Sequence, residues 1–124
     1  MKRTALKKDS PYYVPKYRQL ELKYFVLQYY EKKQQLSNFR LRKGVDPTGE
    51  EATFMASIES DIRLIEALAT ELDKDGFLLI GVTRDLSYDS LTMQRGVLPY
   101  SRKVYYNLYR RFFKKLDSHR KQSF

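Results

Sequence analysis

Apolar side chains return every three or four residues through three long stretches of this chain, and little interrupts them: its 124 residues hold five glycines and four prolines. That spacing gathers each stretch's apolar groups on one side of a helix, whereas a strand needs strict alternation. From Lys16 to about Leu36 the pattern runs through Tyr17, Leu20, Tyr24 and Leu27, with Leu22, Phe25, Val26 and Tyr29 beside them. Apolar or aromatic groups on both faces predict a helix largely covered by its neighbours. A cleaner stripe follows in Phe54, Met55, Ile58, Ile62, Ile65, Leu68, Ala69 and Leu72, backed by Glu50, Glu59, Asp61, Glu66 and Glu71. Tyr105, Leu108, Phe112 and Leu116 form the third. An all-α fold of four or five helices is expected.

Punctuation divides the chain. Residues 1–15 (MKRTALKKDSPYYVP) carry two prolines and no helical period and are expected to form a basic extended arm. Residues 16–124 should make one helical domain: an N-terminal helix over 16–43, an acidic helix over 48–75 and a helix-turn-helix-like segment over 77–118. Gly44, Pro47 and Gly49 mark the break between the first two, and Thr48-Gly49-Glu50-Glu51 has the form of a capping box. Gly76 suits a left-handed helix cap. The short apolar run Phe77–Val82 could be a strand, but no partner run exists, so a buried helical turn is favoured.

The same inventory excludes several function classes. Without cysteine there is no disulfide scaffold, thiolate metal site or thiol catalysis, and one histidine, His119, cannot build a histidine metal site or a Ser–His–Asp triad. Asp73-Lys74-Asp75-Gly76 opens like a calcium loop, yet its twelfth position is Arg84 rather than a bidentate glutamate. Gly76 and Gly81 do not make a phosphate loop. No enzyme activity, metal or cofactor is expected. No apolar run approaches the roughly 18–20 residues of a membrane helix, and a cytoplasmic protein without membrane contact is expected.

The formal net charge of +9 is unevenly spread: residues 1–43 sum to +9, residues 44–90 to −8 and residues 91–124 to +8. Basic ends can neutralise an acidic middle across helix interfaces, and a basic surplus attracts nucleic acid through phosphate contacts and counterion release.

Residues 86–116 carry the functional argument. Ser87 is a good N-cap, Leu91 the first core residue, Gln94-Arg95-Gly96 a helix end, Val97-Leu98-Pro99 a turn with an apolar plug, and Ser101 a second N-cap. Opposite the apolar stripe of the following helix stand Arg102, Lys103, Tyr106, Asn107, Arg110 and Arg111. A C-terminal helix-turn-helix is expected, with Arg102, Lys103, Tyr106 and Asn107 entering the major groove and Arg110, Arg111, Lys114 and Lys115 meeting phosphates of double-stranded DNA. The bland counterpart is a basic amphipathic helix closing a bundle. The many tyrosines could stack on single-stranded bases, but their helical spacing favours packing between terminal helices.

Leu78–Leu116 resembles the region-four helix-turn-helix of sigma factors, with a Leu-Ser-Tyr-Asp-Ser-Leu scaffold helix and a Gly-Val turn, although the connection Gly96–Ser101 is longer. Tyr12-Tyr13-Val14-Pro15-Lys16, the Glu21–Tyr29 run and Tyr105-Tyr106-x-x-Tyr109-Arg110-Arg111-Phe112-Phe113 are similar to small proteins of Firmicute phages grouped with late-operon transcription regulators of the RinA/ArpU type. That resemblance implies a DNA-binding transcription regulator in the host cytoplasm beside host RNA polymerase. The acidic helix would then face polymerase or a dimer mate, and a homodimer suits paired half-sites. The alternative is a phage-encoded inhibitor that uses the aromatic and basic surface to bind a host protein or ribonucleoprotein, such as RNA polymerase or a CRISPR effector. A third option is nonspecific RNA binding.

Overall fold

The described residues form six helical segments and no strand: α1 (Lys16–Leu27), α2 (Tyr29–Arg40), α3 (Gly49–Leu72), α4 (Phe77–Thr83), α5 (Tyr88–Arg95) and α6 (Arg102–Lys121). The computed structural model describes residues 10–41 and 49–121. The arm before Ser10, the end of the N-terminal helix at 42–43 and the Thr48 capping box lie outside them. The fold is all-α as expected, with five helices if α1 and α2 are counted as one broken helix.

That break, at Gln28, departs from the single long helix expected over 16–43. No glycine or proline causes it. The two halves pack on different partners, α1 on α4 and α6, and α2 along α3, so the chain turns where the partner changes. Tyr29, just past the break, is buried and donates its hydroxyl to Glu66 on α3 at 2.5 Å. The expectation that this helix is largely covered by its neighbours is corrected too. Leu22, Phe25 and Val26 are buried, but Tyr17 stands 75% exposed and Tyr24 is also exposed, because only one face of α1 meets a neighbour.

The core joins these α1 residues to Met55, Ile58, Ile62, Ile65 and Leu68 of α3, Leu78 and Val82 of α4, Leu91 of α5 and the aromatic side of α6. The apolar run at 77–83 is helical. Gly76 takes the left-handed conformation (φ 87°) that turns α3 into α4, and the buried Asp73 carboxylate accepts the backbone N–H groups of Asp75 and Leu78 and the hydroxyl of Tyr100. Asp73, the first residue of the calcium-loop-like stretch, is therefore a turn and cap residue that ties the start of α4 to the segment before α6.

Two phenols are held well above their ordinary value near 10: Tyr29 by burial and then by Glu66, Tyr100 by burial and then by Asp73. Raised folded-state values mean that their stabilisation is complete below about pH 10 and is lost as pH rises beyond it, where the unfolded chain ionises first. Urea titrations should show stability falling more steeply between about pH 10 and 12 in the native chain than in Tyr29→Phe/Tyr100→Phe. Parallel curves would refute the assignment.

Gly81 marks a close approach of α4 to α6. A Cβ there would collide with the hydroxyl of Tyr105, whose ring is fully buried and whose hydroxyl donates to the Leu86 carbonyl at 2.8 Å. Alanine in a helix ordinarily gains up to about 1 kcal/mol over glycine. Here Gly81→Ala should instead cost about 1–3 kcal/mol through overpacking, and the penalty should shrink in a Tyr105→Phe background. Chemical denaturation of the four variants measures this coupling.

Candidate nucleic-acid interface

The α5–α6 region is built by local signals that act as read. Ser87 Oγ accepts the Ser90 N–H at 3.1 Å and starts α5; Gly96, at φ 82°, ends it. Leu98 is the buried plug of the connection, while Val97 beside it is 95% exposed. Ser101 Oγ accepts the Val104 N–H at 3.3 Å and starts α6.

The aromatic side of α6 is wider than a single stripe. Tyr105, Tyr106, Tyr109, Phe112, Phe113 and Leu116 are all buried. Tyrosine hydroxyls then fasten the helix to the α4–α5 segment: Tyr106 accepts the Tyr88 N–H at 3.1 Å, Tyr105 donates to Leu86, and Tyr88 donates to the Tyr100 carbonyl at 3.1 Å. Tyr106 is thus a packing residue, and its expected place in the groove is corrected. Three residues before Tyr109 and seven before Phe113, it falls on their face rather than on that of Asn107. Its polar tip makes it look like a contact residue from sequence, yet that tip is used to hold α5.

The opposite side keeps the rest of the expected set. Lys103 and Asn107 are exposed, and Arg110, Arg111 and Lys114 are half-exposed, at spacings of four, three, one and three along one face. At 1.5 Å per residue this basic row extends about 16 Å. Among the described residues no carboxylate lies within ion-pair distance of Lys103, Arg110, Arg111 or Lys114; Lys114 Nζ lies 3.4 Å from the Tyr13 carbonyl oxygen. Two expected contacts are engaged at the margins. Arg102 makes a two-pronged bond to Asp89 at 2.6 and 3.1 Å with its guanidinium over the Tyr88 ring, and Asp89 holds it above its ordinary pKa. Lys115 bonds Glu71 at 2.9 Å and holds that carboxyl below the usual range. The Asp89–Arg102 bridge brings the N-terminal turns of α5 and α6 together on the side where the basic row begins.

The acidic face of α3 does not look outward as a free surface. Asp61 pairs with Lys32, Glu59 with Arg40 and Arg63, Glu66 accepts from Tyr29, and Glu71 pairs with Lys115. Cations of α2, α3 and α6 thus pair with three of these acids, Glu59, Asp61 and Glu71. A cleft of about 450 Å³ between α1, α2, α3 and α6 also holds cations, but Lys32 is paired with Asp61, Arg18 with the buried Asp117, and Arg120 lies over the Phe25 ring. Among the described residues, the cations without an ion pair include the four aligned on one face of α6 and Lys16, Lys33, Lys74 and Arg95, which lie apart on other elements. Among the described residues no group of three or more His, Cys, Asp or Glu is placed to hold a metal ion, and no helix is long and apolar enough to cross a membrane.

No family model, no curated protein and no solved structure matches this chain, so the reading of the interface rests on its own residues.

Proposed function

We propose that this chain is a DNA-binding transcription regulator that docks α6 in the major groove of duplex DNA, with α5 and α6 acting as a helix-turn-helix. The observation that carries the reading is the basic row Lys103–Asn107–Arg110–Arg111–Lys114 on a helix whose other side is locked into the core. A helix of about 10–12 Å diameter fits a groove about 12 Å wide, and cations along such a helix meet the phosphates at its walls. Asn107, one turn from the start, has the amide that pairs with adenine. Arg102, bridged to Asp89, supports the helix start and lies beside the phosphates. The six-residue connection 96–101 is longer than the usual three- to four-residue turn. The Asp89–Arg102 bridge nevertheless keeps both helix starts on one side.

Fluorescence anisotropy with a random-sequence duplex, titrated from about 50 to 200 mM salt, tests the reading. Duplex binding whose affinity falls steeply with salt supports it. Equal or better binding to single strands, or none to duplex, overturns it. A second reading, capture of a host protein or ribonucleoprotein, draws on a different surface: Met93 and Val97 project from the end of α5 and its turn with almost full exposure. Val97→Asp separates the two, since it should abolish such a protein complex while leaving duplex binding nearly intact.

A further inference from the structure

Val104 is the one large apolar side chain in the midst of the basic row. It is 43% exposed, in the first turn of α6, directly after Lys103 and three residues before Asn107. Residues three apart on a helix are neighbours on its surface, so the Val104 methyls and the Asn107 amide form one small patch, with Lys103 on one flank and Arg111 a turn further on. The patch is held in place: Val104's own N–H is bonded to Ser101 Oγ, and the adjacent Tyr105 and Tyr106 are buried. Val104 is not among the side chains of the core cluster, to which Tyr105, Tyr106, Tyr109 and Phe112 of α6 belong.

Resting on the DNA-binding reading above, we infer that Val104 and Asn107 together read an A·T pair, Val104 by contact with the thymine 5-methyl group and Asn107 by two hydrogen bonds to adenine N6 and N7. The major groove displays these groups together only on an A·T pair; a G·C pair has no methyl and offers O6, an acceptor, where adenine has its N6 donor. Charge selects the occupant. The cations around the patch attract phosphate, and an apolar side chain among them finds an apolar partner on DNA only at the thymine methyl.

The full-length chain first enriches its site from a random duplex pool. That duplex is then remade with single uracils for thymine, which removes only the 5-methyl, or single 7-deazaadenines, which removes only N7. The expected site contains an A·T pair at which uracil weakens native binding about fourfold, the worth of one buried methyl, and 7-deazaadenine weakens it about tenfold. Val104→Ser and Val104→Gly, which leave no methyl on the side chain, should lose the difference between thymine and uracil while keeping the 7-deazaadenine effect. Asn107→Ala should do the reverse, and none of the three should change the salt slope. A site without A·T, equal native affinity for thymine and uracil, or discrimination surviving in both Val104 variants overturns the inference. Salt-dependent binding that enriches no site overturns it while leaving phosphate binding by α6 standing, and absence of duplex binding overturns both.

Discussion

Asp117→Ala should cost about 3–5 kcal/mol of folding stability, a large part of what a domain of this size possesses. Asp117 lies on α6 with its side chain only 2% exposed, and its Oδ1 accepts from Arg18 Nε on α1 at 2.7 Å. The Arg18 side chain is 18% exposed, and its Nη2 is buried without a hydrogen-bond partner among the described residues. Its other acidic neighbour, Glu21, is 3.7 Å away and mostly solvated. Removing Asp117 strands a dehydrated guanidinium, and that uncompensated charge, rather than the lost attraction, sets the size of the penalty. Asp117→Asn, which keeps an acceptor oxygen, should lose less. Arg18→Met/Asp117→Leu should lie close to the native chain or above it, because neither charge is then left buried. Urea unfolding midpoints of the four proteins settle the matter. A loss below about 1 kcal/mol for Asp117→Ala would mean that water reaches the pair and that it behaves as a surface bridge. The consequence reaches the interface, since this pair fastens α6 to α1 beneath the end of the basic row.

What could be read in advance was what neighbours in sequence decide. The caps at Ser87 and Ser101 and the glycine that ends α5 at 96 depend on one side chain and the backbone beside it, and they stand where the residues place them, whereas Gly76 is left-handed but opens α4 instead of closing α3. The row on α6 was legible apart from Tyr106 because one helix's period generates it. Tyr106 was misplaced because an amphipathic side chain gives no sign of which end is used, and a buried face two residues wide looks the same in sequence as a narrow stripe with polar flanks. The break at Gln28 has no local cause and follows from which helices the two halves meet. The segment charges are countable, but apart from Glu59–Arg63 the ion pairs of the α3 acids join residues 19 to 44 positions apart, as in Arg40–Glu59, Lys32–Asp61 and Glu71–Lys115. Val104 carries no polar group to mark it as a contact residue, although the helical period puts it beside Asn107.

Neutralising the row, in Lys103→Gln/Arg110→Gln/Arg111→Gln/Lys114→Gln, should have the largest effect on function. Each phosphate contact contributes about 0.9 to the slope of log affinity against log salt, so losing four should flatten that slope by roughly 3–4 units. If the contacts act only through counterion release, native and variant lines converge near about 1 M salt. At about 0.1 M the variant then binds random duplex roughly three orders of magnitude more weakly. Stability should change little, because all four side chains are at least partly exposed and the buried side of α6 is untouched. The control is Lys33→Gln/Arg40→Gln/Arg63→Gln, which removes three positive charges from the α2–α3 pair. Were DNA attracted by net charge alone, the control would lose nearly as much slope as the row variant. A docked α6 predicts a slope close to native, because only cations that touch phosphates release counterions. Anisotropy titrations of the three proteins at four salt concentrations distinguish these results, and equal slopes for the row variant and the control would remove α6 from the interface.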